Sequence, residues 1–176
     1  MMRARFKVRV AAGVLMMATT GMAMSPAQAA PSERNVKCLS DNIYYEARDD
    51  GPPGWGAVGH VTLNRLHDAQ RAGRRASVCS IVYEGSNRGR HRCQFSWTCD
   101  RRTKAKSEAE TARAITRFAR ELLSGEHTDQ TAGAIYFHER GRHPKWASDG
   151  STRMTVAIGR HYYYRTAHET EVASVK

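Results

Sequence analysis

One acidic residue lies where a general acid would be useful. Glu46 belongs to the segment Asn42-Ile-Tyr-Tyr-Glu-Ala-Arg48. Ile43 follows Leu39 by four residues, and Glu46 follows Ile43 by three. This spacing predicts that Glu46 shares the apolar face of a helix, where partial desolvation raises the pKa of a carboxyl group. A carboxylic acid that stays protonated near neutral pH can protonate a glycosidic oxygen. A salt bridge from Glu46 to Arg48, or to a distant arginine, is the alternative.

A second carboxyl group is harder to find. Most glycosidases use two carboxylates at a defined separation. Asp50 is the nearest candidate, four residues after Glu46, but the segment Gly51-Pro-Pro-Gly54 is expected to break the helix there. A lytic transglycosylase needs one carboxyl group, which protonates the leaving oxygen and then takes a proton from the C6 hydroxyl of the same sugar. The isolation of Glu46 fits this chemistry better.

Amide, hydroxyl and aromatic side chains suited to sugar binding occur together in Gln94-Phe-Ser-Trp97. Rings can stack on the apolar faces of a sugar, while amides and hydroxyls bond its hydroxyl groups. A core position is the alternative for Phe95 and Trp97, and also for Trp146 and His138, which have aromatic neighbours. The predicted substrate-binding residues are Gln94, Phe95, Ser96, His138 and Trp146.

Other catalytic classes lack their sequence signals. The chain has eight histidines but no H-E-x-x-H motif, and no G-x-S-x-G motif is present. We therefore expect no metal, no cofactor and no nucleophilic serine or cysteine.

Four cysteines are present, Cys38, Cys79, Cys93 and Cys99. An even number in an exported domain suggests disulfides rather than a zinc site, since C-x-x-C spacing is absent. Three pairings are possible. Loop closure alone favours Cys93 with Cys99, and hence Cys38 with Cys79.

The N-terminus carries the features of a secretory signal peptide. Basic residues precede an uncharged stretch from Val10 to Met24, which is too short to span a bilayer, and Ala27-Gln-Ala29 is a suitable cleavage site. Residues 1–29 are thus predicted to be removed, and the protein is predicted to reach a periplasm or the cell exterior without stable membrane insertion. The formal charge of +11 falls to about +7 when four basic residues leave. A basic domain favours an anionic partner, and export argues against nucleic acid.

Periodicity predicts helices first and short strands later. Helices are expected over residues 35–48, 55–71 and 107–124, the last with a capping box of Ser107 and Glu110. The run 78–83 is ambiguous, and 85–100 is a loop. Strands are expected over residues 134–138, 154–158 and 161–165. These elements indicate one α+β domain over residues 35–166, followed by a tail, 167–176, that is predicted to be disordered.

Taken together, these motifs resemble the cell wall hydrolase family of spore cortex-lytic enzymes, the SleB-like proteins. The resemblance runs from about Cys38 to Arg165. Its matching stretches include Asn42-Ile-Tyr-Tyr-Glu-Ala-Arg48, Val61-Thr-Leu-Asn-Arg65, Cys93-Gln-Phe-Ser-Trp-Thr-Cys-Asp100, Tyr136-Phe-His138, Pro144-Lys-Trp-Ala147 and His161-Tyr-Tyr-Tyr-Arg165. The family usually has Gly-Glu where this chain has Asp49-Asp50.

The resemblance implies a compact lysozyme-like fold with a small antiparallel sheet. It also implies cleavage between N-acetylmuramic acid and N-acetylglucosamine, with Glu46 as the acid and base. The expected protein is a monomeric, peptidoglycan-cleaving lytic transglycosylase. A hydrolytic muramidase and a non-catalytic peptidoglycan-binding module are the alternatives, and a wall amidase would need a metal or a nucleophile.

Overall fold

The computed structural model describes residues 30–88, 92–100 and 108–167. Within these residues four α-helices precede three strands. The helices are α1 (Glu33–Ala47), α2 (Gly51–Arg71), α3 (Val78–Val82) and α4 (Ala109–Leu123), and the strands are β1 (Tyr136–Glu139), β2 (Thr152–Ile158) and β3 (His161–Thr166). None of these helices is long and apolar enough to cross a membrane. The predicted signal peptide and nearly all of the predicted tail lie outside the described residues.

Helix α1 supplies the centre of the core. Ser32 caps its first turn by accepting a hydrogen bond from the amide of Asn35. Leu39 and Ile43 are completely buried on the face predicted from their spacing, and they pack against α2, α3 and α4. The helix ends at Ala47 and continues as a short 3₁₀ helix, Arg48–Asp50. The predicted helix over 35–48 is therefore confirmed, and Glu46 lies in its last turn.

Helix α1 ends before Gly51-Pro-Pro-Gly54, as predicted, but this segment also forms the first turn of α2, so the helix predicted over 55–71 begins four residues earlier. The first turn of a helix tolerates proline, since its amide groups have no partner within the helix. Gly54 also permits close packing, as a Cβ atom there would lie 2.3 Å from Cβ of Asp50. The turn therefore holds Asp50 against α2 instead of separating the two.

Two other predictions about helices have different outcomes. The ambiguous run at residues 78–83 contains α3, which begins with a capping box in which Ser77 and Ser80 bond each other's backbone amides. The predicted helix over 107–124 is confirmed as α4, whose N-cap residue is Glu108 and carries no side-chain cap. Ser107 of the predicted capping box lies outside the described residues.

The three predicted strands form one antiparallel sheet in the order β1-β3-β2. Glu139 and Ile158 both pair with His161, and the two-residue turn Gly159-Arg160 joins β2 to β3. Tyr163 of β3 is fully buried in a second core cluster with Ala57 and Val61 of α2. Since alternate residues of a strand face the same side, His161 lies on the same face as Tyr163.

Two disulfides join the four cysteines. Cys38 bonds Cys79, which ties α1 to α3, and Cys93 bonds Cys99 within the loop that precedes α4. The pairing favoured by loop closure is thus the one in the structure. The second bond encloses the short 3₁₀ helix Ser96–Cys99.

Candidate active site

A groove of about 850 Å³ runs between the C-terminal end of α1 and the sheet. Its walls come from four parts of the chain: the end of α1 with Arg48 and Asp49, the disulfide-closed loop, β1 with the segment that follows it, and the turn before β3 with the first residue of that strand. The groove is lined by Tyr45, Glu46, Arg48, Asp49, Ser96, Phe137, His138, Glu139, Arg142, His143, Pro144, Trp146, Arg160 and His161.

The carboxyl group of Glu46 lines this groove and is half-buried. Burial raises its pKa from 4.5 to about 7, although the positive charge of Arg65 opposes the rise. Desolvation dominates because it removes water from the charged form of the carboxyl group. Among the described residues, none forms a hydrogen bond with the Glu46 carboxyl group. The group is therefore a weak acid with its oxygens available to a ligand.

Arg65 of α2 lies close enough to Glu46 for the two charges to interact. Its Nε donates to the carbonyl oxygen of Ile135 at 2.5 Å, and its guanidinium lies 5.1 Å from the ring centre of Phe95. Burial lowers the pKa of Arg65 to about 10, and nearby Tyr136, Glu84 and Glu46 oppose that shift. Arg65 thus stays charged at neutral pH and places a fixed positive charge near Glu46.

The disulfide-closed loop contributes one predicted substrate-binding residue to the groove and places two others elsewhere. Ser96 is exposed and lines the groove. In the amide orientation that satisfies both groups, the Gln94 oxygen accepts bonds from Arg65 Nη1 and Nη2 at 2.8 and 3.1 Å. Phe95 is only 3% exposed, so its ring has no face for a sugar and packs between Arg65 and Phe137. We therefore correct the prediction for Phe95, which belongs to the core.

Trp97, in the same loop, braces α1. Its indole nitrogen donates to the side-chain oxygen of Asn42 at 3.0 Å, and the amide of Asn42 donates to Thr62 on α2. The indole also stacks on Tyr45, with ring centres 4.6 Å apart. These contacts fix the last turns of α1, and thereby the position of Glu46.

An aromatic cluster forms the opposite wall. Trp146 is half-buried and packs edge-on against Tyr164 and His138, with ring centres 5.3 and 5.6 Å apart. His138 Nδ1 donates to the carbonyl oxygen of Glu139 at 2.8 Å, because that oxygen can only accept, and Nε2 shares a hydrogen bond with the Tyr164 hydroxyl at 2.9 Å. His138 and Trp146 therefore lie in the same groove as Glu46, and His138 presents a ring rather than a free nitrogen.

Asp50 belongs to a buried polar cluster that joins the end of α1 to the sheet. The Asp50 side chain is 3% exposed, accepts from Arg160 Nε at 2.7 Å and lies 3.3 Å from His161 Nδ1. Burial lowers the pKa of His161, and the charge of Asp50 opposes that shift. Burial, together with the charges of Asp50 and Glu46, raises the pKa of Tyr163 well above its usual range. The cluster therefore lies next to Glu46.

Charged side chains surround the mouth of the groove. Arg48 is 3.3 Å from Glu108 and 3.8 Å from Asp49, while Arg160 is 3.6 Å from Asp49. Arg142 and Glu139 are exposed there as well. Across the described ranges, no three His, Cys, Asp or Glu side chains gather as a metal site would require.

Comparison with known proteins identifies the fold and the family. Over 81% of its length, the chain superposes on the whole catalytic domain of the germination-specific lytic transglycosylase SleB from Bacillus anthracis, with a TM-score of 0.54 and 21% identity. The catalytic domain of the Bacillus cereus SleB protein gives a TM-score of 0.47 and 19% identity over 83% of this chain and 99% of that domain. None of the curated proteins matches the chain.

The first superposition confirms the predicted α+β, lysozyme-like fold, with helices preceding a small antiparallel sheet. The family model for cell wall hydrolases matches residues 49–164, which begin three residues after Glu46 and include most of the groove. This match covers well over half of the sequence. The chain belongs to the cell wall hydrolase family.

Proposed function

We propose that this protein cleaves the glycan strands of peptidoglycan between N-acetylmuramic acid and N-acetylglucosamine, as a lytic transglycosylase with Glu46 as its acid and base. The observation that carries the proposal is the Glu46 carboxyl group, which is half-buried in the groove with a pKa of about 7. Near neutral pH such a group exists in both protonation states, as one residue that first donates and then accepts a proton requires.

The proposed reaction needs only the substrate and Glu46. The protonated carboxyl gives its proton to the glycosidic oxygen while the bond from C1 of muramic acid to that oxygen breaks. The C6 hydroxyl of the same sugar then bonds to C1, and its proton passes to the Glu46 carboxylate. One anhydro end and one free hydroxyl form, and the protonated acid is regenerated without any change in oxidation state.

The other carboxylates near the groove support a mechanism with one carboxyl group. Asp50 is buried and paired with Arg160, so it has no access to a sugar. Asp49 lies within ion-pair distance of both Arg48 and Arg160. Glu139 is exposed on the opposite wall, and it is the residue that a hydrolytic muramidase would use to activate water.

Trp146, His138 and Ser96 are the proposed sugar contacts. Trp146 and His138 offer ring surface within a rigid aromatic cluster, and Ser96 offers a hydroxyl on the facing loop. Rigid rings bind sugars at a small cost in conformational entropy. Gln94 contributes indirectly, because it holds the guanidinium of Arg65 in place.

The test uses purified protein without its first 29 residues, incubated with peptidoglycan, with the soluble products analysed by mass spectrometry. Glu46→Gln keeps the shape of the side chain but removes its acidity, and we expect the rate to fall at least roughly 100-fold. The matched control is Glu110→Gln, which changes an exposed carboxyl in the first turn of α4 and should keep the wild-type rate. Full activity of Glu46→Gln would refute the assignment.

The products distinguish the alternatives. Anhydro ends support transglycosylation, whereas reducing ends lost on Glu139→Gln would identify a muramidase. Binding to peptidoglycan without any cleavage would identify a wall-binding module, and new amino ends on intact glycans would identify an amidase.

The proposal includes export of the protein to the periplasm or the cell exterior. It rests on the basic, then apolar, then small-residue pattern of residues 1–29. N-terminal sequencing of protein recovered outside the cytoplasm should find a chain that begins at Ala30, and recovery of the uncleaved chain in the cytoplasm would contradict export.

A further inference from the structure

Arg142 differs from the other two arginines of the groove. Arg48 and Arg160 each lie within 4 Å of carboxylates that belong to the protein itself. Arg142 is exposed in the turn closed by its amide and the carbonyl of Glu139, and it lines the groove. In the described part of the chain, no carboxylate lies within ion-pair distance of its guanidinium. The groove thus holds one positive charge that the protein does not neutralise.

The chemistry of the proposed substrate restricts what this charge can bind. The N-acetylated sugars of a glycan strand are neutral along their backbone. Carboxylates occur only on the side branch of muramic acid, either on its lactyl group or on the peptide attached to that group. A guanidinium binds a carboxylate through two parallel hydrogen bonds, a geometry that the neutral hydroxyl groups of a sugar cannot match.

We propose that Arg142 binds a carboxylate on the side branch of muramic acid and so makes the enzyme prefer glycans that carry this charge. The inference rests on the proposed function, since it assigns a substrate feature to the same groove. Arg142 would contact the branch and not the bond that breaks. Its loss should therefore weaken the selection of charged substrate and leave the chemical step unchanged.

The chain offers a matched control two residues away. Arg140 carries the same charge, but its guanidinium already makes a cation–π contact with Tyr162, 5.3 Å from the ring centre. Arg140→Gln and Arg142→Gln therefore remove one positive charge each from the same segment. A general effect of net charge on binding to an anionic wall would appear in both variants.

The experiment compares three glycan substrates: native peptide-bearing strands, the same strands with all carboxyls converted to amides by carbodiimide and ammonia, and strands freed of peptide by an amidase. We expect Arg142→Gln to lower kcat/KM on native strands roughly five- to tenfold, mainly through KM, which corresponds to one charge-assisted hydrogen-bonded contact at an exposed site. On the amidated strands Arg142→Gln should match the wild type, and Arg140→Gln should match it on all three substrates.

The peptide-free strands identify the source of the carboxylate. In native strands the attached peptide blocks the lactyl carboxyl as an amide, and the amidase exposes it. A loss of the Arg142→Gln effect on peptide-free strands assigns the contact to a carboxylate of the peptide, whereas an effect that persists on them shows that Arg142 also accepts the lactyl carboxylate. An equal loss on native and amidated strands, or the same loss in Arg140→Gln, overturns the inference while the proposed cleavage stands. Failure of the wild type to cut any strand would instead refute the proposed function.

Discussion

The charge of Arg65 lowers the pKa of the Glu46 carboxyl, but burial in the groove raises that pKa by more. Arg65 is held by the carbonyl of Ile135 and by the Gln94 amide, so its position relative to α1 is fixed. The acidity of Glu46 is therefore set by two opposing influences that substitutions can separate.

The first prediction concerns the pH dependence of cleavage. A general acid acts in its protonated form, which is lost as the pH rises through its pKa, so kcat/KM should fall above about pH 7, where the pKa of Glu46 lies. Arg65→Gln removes the charge that opposes the rise, and we expect the alkaline limb to move to higher pH. Arg65→Lys keeps the charge and should leave the limb in place. An unmoved limb in Arg65→Gln would show that another group controls it.

The second prediction concerns the stability of Glu46→Gln. The folded pKa of Glu46 is raised, so the wild type gains stability from this group below about pH 4.5 and loses it as the pH rises to about 7. Glutamine has no such ionisation. We therefore compare the unfolding free energy of the variant with that of the wild type at each pH. This difference should shift in favour of the variant by about 1 to 3 kcal/mol between pH 5 and pH 8, a range that allows for the partial exposure of Glu46.

Urea unfolding at the two pH values measures this difference. Glu110→Gln is the control, since its carboxyl is exposed in both the folded and the unfolded chain. A constant difference between Glu46→Gln and the wild type at pH 5 and pH 8 would mean that the Glu46 carboxyl is not desolvated.

The third prediction tests the contact between the sheet turn and Asp50. Gly159 has a φ of 56°, and a Cβ atom there would lie 3.0 Å from the Asp50 carboxyl carbon. Gly150 also has a positive φ, of 83°, but nothing lies within 4 Å of its Cβ position. Alanine costs about 1 kcal/mol of backbone strain at both positions, and Gly159→Ala should cost about 1 to 3 kcal/mol more through overpacking.

Thermal unfolding of the two alanine variants provides the comparison. Gly159→Ala should also slow glycan cleavage, because it displaces Asp50 and the Arg160 contact beside the groove. Equal destabilisation of the two variants would show that the Asp50 cluster adapts freely.

The fourth prediction concerns the disulfides. Cys38 and Cys79 are 41 positions apart, so replacing both with serine should lower the unfolding free energy by roughly 4 kcal/mol through the larger entropy of the unfolded chain. Cys93 and Cys99 are 6 positions apart, and their replacement should cost roughly 2 kcal/mol. Guanidinium unfolding measures both losses. A larger loss for the short loop would contradict the entropic explanation.

Local patterns were sufficient to predict the helical part of the site. Leu39, Ile43 and Glu46 obey the helical repeat, and the structure places the first two in the core and Glu46 at the groove. The strand predicted over residues 161–165 is present as β3, although the sequence did not show that this strand meets Asp50. These features depend on neighbours within a few residues, which a sequence records directly.

The remaining features depend on contacts between distant residues. Asp50 and Arg160 are 110 positions apart, and no local signal links them. The expected helix break at Gly51-Pro-Pro-Gly54 obscured the role of Asp50, because proline can open a helix as well as end one. The burial of Phe95 was equally hidden, since it depends on Arg65 and Phe137 from other elements.

The walls of the groove come from distant parts of the chain, so the raised pKa of Glu46 depends on folding. Glu46 precedes His161 by 115 residues (161 − 46), and the groove forms only when β3 has reached the end of α1. Before that point Glu46 is a solvated carboxylate of ordinary acidity, almost fully ionised at neutral pH. Under the proposed function, an unfolded or partly synthesised chain is therefore inactive, because its Glu46 carries no proton to donate, and folding supplies the burial that raises the pKa.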